Sequence, residues 1–405
     1  MTMARLCPDD LFDGQAKRVL GLAPAGAADV GEVMTAAARI KGSELDSWYD
    51  EWVALADRVL ALADDQAAAG RTVSARAAYL RGANYLRAAG SMLMGAPLDP
   101  RLKSSHERHC AAFAKAAALS EHPLAKVTIP YEDTELPGYF GAPSNDGAPR
   151  PTLILLGGYD STLAEGYSFN GSAAIARGYN ILTFDGPGQG SALIDDGLTL
   201  RPDWGAVITP IVDFLSTRPD VDPARIGLVG LSLGAHLGPR AAADEHRLAA
   251  LVADCGAFDL YAPFLQRLPG PLRAGYTKGE RLAVDTVREM LDHMAAQPTA
   301  GWSLRRGMQV HGVATPMDYI EATREYTLAG HAERISCPTF VCNAEDDPIS
   351  ATAPTLVAAL TCPKEFVTFT VAEGAGEHCE SMARDLYHAR SFGWLDAVLR
   401  PGVPG

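Results

Sequence analysis

Four short apolar runs constrain this chain more than any other feature. They are PTLILLGG from residue 151, YNILTFDG from 179, RIGLVGLS from 225 and LAALVADCG from 248. Each is continuously apolar and closes on glycine or serine. A strand covered on both faces reads this way, whereas a half-exposed strand alternates. Amphipathic helical stretches fill the gaps, for example residues 203 to 217. CPTFVCNAEDD and EFVTFTVAEGAG add two more strands, and KVTIPYED with LPGYFGAP reads as a hairpin ahead of the first run. Alternation of this kind predicts a mostly parallel sheet flanked by helices, with ligands bound beyond the carboxyl ends of its strands.

The chain has 405 residues, more than one core of ordinary size requires. Its texture divides it into a helical N-terminal domain over 1–125, a first part of the α/β core over 126–258, an inserted helical cap over 259–335 and a second part of the core over 336–405. In the N-terminal part, residues 44 to 70 are rich in Ala, Leu, Asp and Glu and stop at Gly70. Beyond it, Ala75, Ala78, Tyr79, Leu80, Tyr85, Leu86 and Ala89 recur at three- and four-residue steps, with Ser74 placed as an N-cap. The cap segment holds no convincing strand, and the closing RPGVPG is expected to be frayed.

The formal net charge of -14 argues against nucleic acid and anionic membranes as partners, since both ask for a basic face. No window approaches the roughly 18 apolar residues of a membrane span. The opening MTMARLCPDDLFDG lacks the apolar run of a secretory leader. Seven scattered cysteines fit no zinc or redox spacing and read as buried thiols in a reducing cytoplasm.

At the end of the third run and just beyond it, Gly230-Leu231-Ser232-Leu233-Gly234 fits Gly-x-Ser-x-Gly at a strand-to-helix turn. That setting presents a serine as a nucleophile. A serine hydroxyl needs a base, and the base needs an orienting carboxylate. On a sheet of this kind they follow in the order serine, acid, histidine. His378, in the loop after the last strand, is the candidate base, with His236 second. The acid falls in NAEDDP after the preceding strand, where Asp347 is favoured by its distance from Ala344 and Asp346 is the alternative. The oxyanion hole needs two backbone N–H groups. Leu233, after the nucleophile, supplies one, and Tyr159 in LLGGYDST supplies the other, with Gly157 and Gly158 permitting close approach.

Two other motifs are set aside. DGPGQGS resembles a nucleotide fingerprint, but neither glycine frame completes Gly-x-Gly-x-x-Gly. HERH at 106–109 places His106 and His109 on one helix face without a third ligand, and reads as plain surface. No cofactor and no metal site is expected.

Together SARAAYLRGANYLRAA, VTIPYEDTELPGYF, GGYDST, FDGPGQG, GLSLGAH, AEDDP and GAGEHCE resemble α/β-hydrolases with a helical N-terminal domain. These are related to 2,6-dihydroxypseudooxynicotine hydrolase and to the fungal yellowish-green pigment hydrolases that shorten polyketides. The likeness runs from about residue 74 to residue 380. It implies the α/β-hydrolase fold and a triad of Ser232, Asp347 and His378, with an oxyanion hole at Tyr159 and Leu233. It also implies a small-molecule pocket between N-terminal helices, cap and sheet, a homodimer, and cleavage of a ketone C–C bond or an ester. The departure is Ala344, where many such hydrolases carry glycine. The same residues could serve acyl transfer or acetate elimination, and a catalytically silent binding protein of the same fold is the non-enzymatic alternative.

Overall fold

The computed structural model describes residues 4–122 and 124–400. The expectation for RPGVPG falls on residues 401–405, outside those described. Five helices come first: α1 (Asp10–Leu20), α2 (Val30–Ala37), α3 (Leu45–Ala68), α4 (Thr72–Ser91) and α5 (Pro100–Ala118). Eight strands follow: β1 (Ala125–Tyr131), β2 (Thr134–Gly141), β3 (Arg150–Leu156), β4 (Asn180–Phe184), β5 (Val221–Leu231), β6 (Ala250–Asp254), β7 (Thr339–Ala344) and β8 (Lys364–Phe369).

The strands form one sheet in the order β1-β2-β4-β3-β5-β6-β7-β8. β1 pairs antiparallel with β2, and β2 with β4; every other pairing is parallel. The apolar runs are its interior strands, with β4 and β6 buried along their whole length. β3 shows why such a run has no polar alternation. Leu153 and Leu155 enter the core on one face, while Ile154 and Leu156 enter the core on the other. Edge strand β8 is largely exposed and opens on Lys364 and Glu365, charges that discourage pairing with another chain.

The first face is covered by the N-terminal helices and by α13 (Arg384–Leu399); the second by α6 (Gly205–Ser216) and α7 (Gly234–Ala242). The N-terminal helices therefore share a continuous core with the sheet. Phe12, Trp48, Trp52 and Tyr85 stack in sequence at centroid distances of 4.8, 5.5 and 5.8 Å. Helix α4 lies at the centre, and its seven periodic residues are all buried. It begins at Thr72 with Arg71 as cap, so Ser74 sits inside the first turn and is not the N-cap. At Gly82 a Cβ would come 2.5 Å from Leu60 Cδ2, so this glycine lets α3 and α4 approach closely.

Between β6 and β7 lie α8 (Ala262–Arg267), α9 (Gly270–Thr277), α10 (Arg281–Ala295), α11 (Trp302–His311) and α12 (Pro316–Ala322). They have a small core of their own, built on Tyr276, Val287, Leu291, Leu304 and Ile320. Three bonds tie this segment to the N-terminal part: Trp302 Nε1 donates to the Ser91 carbonyl at 2.8 Å, Gly95 N–H to Gln309 Oε1 at 2.7 Å, and Thr299 Oγ1 to Asp9 Oδ2 at 2.9 Å. Among the described residues, no helix is long and apolar enough to cross a membrane.

Candidate active site

Strand β5 delivers Ser232 into a turn where its φ is +58°, a conformation that costs a non-glycine residue on the order of 1–3 kcal/mol. The surroundings hold it there. Ser232 N–H donates to the Asp254 carbonyl at 3.1 Å, and the Ser232 carbonyl accepts from Ala235 N–H at 2.8 Å. A Cβ at Gly230 would overlap the Gly234 carbonyl, and one at Gly234 would lie 2.5 Å from the Leu156 carbonyl. The two glycines of the motif are thus demanded by backbone packed against backbone. Gly234→Ala is expected to destabilise the fold by about 2–4 kcal/mol, read as a lowered midpoint in urea, because neither contacting group is a side chain that can rotate away.

Ser232 Oγ lies 2.8 Å from His378 Nε2, and His378 Nδ1 lies 2.8 Å from Asp347 Oδ2. The structure thus brings together the three residues singled out from the sequence. Asp347 is buried at the carboxyl end of β7, and its Oδ1 accepts from Ile349 N–H at 3.0 Å. Burial alone would raise its pKa, but the bonds from His378, Cys255 and Ile349 hold the carboxyl below its ordinary value. Asp346 is not part of this chain of bonds; its N–H donates to the Gly376 carbonyl at 2.9 Å. His236 is buried below the turn, its Nδ1 3.0 Å from the Ala257 carbonyl, and burial pushes its pKa down to about 4.

Gly158 packs against the serine, where a Cβ would come 2.9 Å from Ser232 Cβ. Tyr159 follows Gly158, and Leu233 follows Ser232. Among the described residues, neither the Tyr159 nor the Leu233 N–H donates to a protein acceptor. Two open donors beside a serine, histidine and carboxylate in series can serve acyl chemistry: attack, proton transfer and charge stabilisation.

Several residues around this centre were not singled out from the sequence. Cys255 Sγ donates to Asp347 Oδ2 at 3.1 Å, and Cys379 Sγ lies 3.5 Å from His378 Nε2. Both cysteines have positive φ, +81° and +53°. Gln189 Nε2 donates to the carbonyls of Gly157 and Gly158 at 2.7 and 3.1 Å. The DGPGQG stretch, dismissed as a nucleotide site, therefore braces the loop before Tyr159. From α11, His311 Nε2 meets the Tyr159 hydroxyl at 2.8 Å. Burial pushes His311 down to about 4, so it is neutral at physiological pH.

HERH is not surface. His109 is 2% exposed and bridges the Ala83 carbonyl, 2.8 Å from Nδ1, and Thr162 Oγ1, 3.0 Å from Nε2. His106 is buried beside Ser191. The face of α5 that carries both histidines is the buried one, shared with Leu102, Ala112 and Phe113; it packs on α4, on the loop after β3 and on Ser191 beyond β4, so these imidazoles join elements instead of meeting water.

A cavity of about 650 Å³ lies between the N-terminal helices and the cap, around Met92, Met94, Pro298 and Arg305. A second, of about 40 Å³, lies between α4, α5 and the Tyr159 loop. Neither is lined by Ser232 or His378.

A mostly parallel sheet with this strand order, a serine on a strained strand-to-helix turn after β5, a carboxylate after β7 and a histidine after β8 define the α/β hydrolase architecture. Family comparison agrees. The model of the alpha/beta hydrolase family matches residues 153–389, and that of the FrsA-like esterases matches 39–260. The chain belongs to the α/β hydrolase family. It is 34% identical to the hydrolase acrC of Aspergillus aculeatus, over 97% of this chain and 98% of that protein. It is 33% identical to the 20-hydroxy-prefusarin hydrolase FUS2 of Gibberella moniliformis, with 98% of each covered. The crystal structure of 2,6-dihydroxy-pseudo-oxynicotine hydrolase superposes with a TM-score of 0.75 at 22% identity, covering 95% of this chain and 96% of that one.

Proposed function

We propose that this protein is a serine hydrolase that cleaves a ketone C–C bond or an ester in a mid-sized aromatic or polyketide-like molecule, through an acyl-enzyme on Ser232. The observation that carries this is the unbroken chain Ser232–His378–Asp347, two bonds of 2.8 Å, set on the strained turn. In the first step Ser232 Oγ attacks the carbonyl carbon as its proton passes to His378 Nε2. Asp347 keeps Nδ1 as the donor and stabilises the imidazolium. The N–H groups of Tyr159 and Leu233 receive the oxyanion, and each such donor is worth roughly 3–4 kcal/mol in the transition state. The leaving group, an alkoxide or the enolate of a cleaved ketone, takes the proton from His378. Water, activated by the same imidazole, then releases the acid.

The substrate class follows from the resemblance in the sequence, and the name of the relative FUS2, a hydrolase of 20-hydroxy-prefusarin, accords with a natural-product substrate. A C–C cleavage asks for a departing carbon that a neighbouring carbonyl or phenol can stabilise. Incubation with a p-nitrophenyl ester and with an aryl β-diketone tests the proposal. Release of a carboxylic acid from at least one of them is expected. Release from neither, by protein that melts cooperatively, contradicts the proposal.

A further inference from the structure

Arg87 stands on the inner face of α4 with its side chain 3% exposed. Its Nε lies 3.3 Å from both Glu165 Oε1 and Asn84 Oδ1. Its Nη1 and Nη2 are buried and, among the described residues, bond to no protein acceptor. A guanidinium held out of water with unmet donors is costly, and such groups are as a rule paired.

The charge around Arg87 does not balance. Arg18, from α1, grips Glu165 through two bonds of 2.7 and 2.5 Å and reaches Asp160 at 2.8 Å. Arg306, from α11, lies 3.4 Å from the same Asp160, and its Nε is also buried without a partner. Three guanidiniums thus face two carboxylates. The nearby histidines leave this balance unchanged. Burial pushes His109 down to about 3, with Arg87 adding to the effect, and burial also lowers His106, so both are neutral.

Arg87 lines the cavity of about 40 Å³, together with His106, His109, Tyr159, Ser161 and Thr162. That space admits one small polar group and not a whole substrate. A planar guanidinium edge with two free donors matches a planar anion with two acceptor oxygens.

We propose that this cavity is an anion subsite, in which Arg87 takes a carboxylate, or the enolate of a β-dicarbonyl, carried by the substrate. It rests on the hydrolase reading for its relevance to turnover, through Tyr159, which lines the cavity and follows the glycine packed on Ser232. It gives the N-terminal helices a chemical part in selecting the substrate.

Formate and its neutral isostere formamide are the probes, with the full chain held at constant ionic strength. Formate is expected to raise the melting midpoint saturably, and formamide is not. The formate response should vanish in Arg87→Met and weaken at least 10-fold in Arg87→Lys, the variant that keeps the charge if the methionine protein fails to fold. The ratio of KM for mono-p-nitrophenyl succinate to KM for p-nitrophenyl butyrate should rise at least 10-fold in Arg87→Met. Equal formate responses in wild type and both variants, no response in any of them, or an unchanged KM ratio would overturn the proposal. Labelling of Ser232 by a fluorophosphonate in the same samples separates the two questions. Absent labelling counts against the hydrolase reading, while the formate response still reports on the subsite.

Discussion

Replacing Ser232 with alanine is expected to lower kcat/KM by a factor of about 10⁴ or more while leaving the melting midpoint nearly unchanged. The two halves of that result have separate causes. Alanine, like serine, carries a Cβ at φ +58°, so the backbone strain of the turn is the same in both proteins. What disappears is the oxygen that sits 2.8 Å from His378. A remnant of catalysis is expected from the two N–H donors at Tyr159 and Leu233, which a serine-to-alanine change does not touch. Initial rates on a p-nitrophenyl ester, with melting curves on the same preparations, check this. A variant with wild-type rates would show that Ser232 is not the nucleophile.

Asp347→Asn should lower kcat by about 10⁴-fold with little change in the fold, because an asparagine in that place can donate to Nδ1 and so trap the imidazole with its proton on Nε2. The pH profile should change in a definite direction. Burial pushes the His378 imidazole down, but the Cys379 sulfur and the Asp347 carboxylate more than offset this and hold its pKa above the ordinary histidine value. As pH falls through that raised pKa, Nε2 gains a proton and can no longer accept one from Ser232. The acid limb of kcat/KM is therefore expected above the ordinary imidazole range in wild type. Without the carboxylate the imidazolium loses its stabilising partner, so the limb should move to lower pH. A full kcat/KM profile for both proteins measures this. An unshifted acid limb would mean that another group orients the base.

How far these residues could be seen in advance depended on how local their signals were. Ser232 sits between two glycines that backbone contacts require, Asp347 lies three residues past the end of β7, and His378 lies in the loop that follows β8. Residue type and chain position single out the serine and narrow the other two to short alternatives, Asp347 with Asp346 and His378 with His236. The continuous apolar runs made the sheet legible for a related reason, since a strand buried on both faces leaves no polar alternation. What was hidden is pairing between distant elements. His311 and Tyr159 are 152 residues apart in the chain, and Arg18 and Glu165 are 147 apart. No periodicity links them. The HERH histidines show the same limit: polar residues on a helix read as exposed unless one knows that another helix and a loop lie over them. Gln189 gives no such signal: DGPGQG resembles a phosphate cradle, whereas the Gln189 amide serves the carbonyls of another loop.

In the proposed mechanism His378 and Asp347 activate Ser232 for attack on a carbonyl. A fluorophosphonate reacts covalently with such a serine, so intact-mass spectrometry followed by peptide mapping tests the claim most directly. The expected result is a single adduct, on the peptide carrying Ser232, formed rapidly in wild type and at least a hundred-fold more slowly in His378→Ala. An adduct on a different residue, or a protein that turns over ester or ketone while Ser232 stays unlabelled, would contradict it.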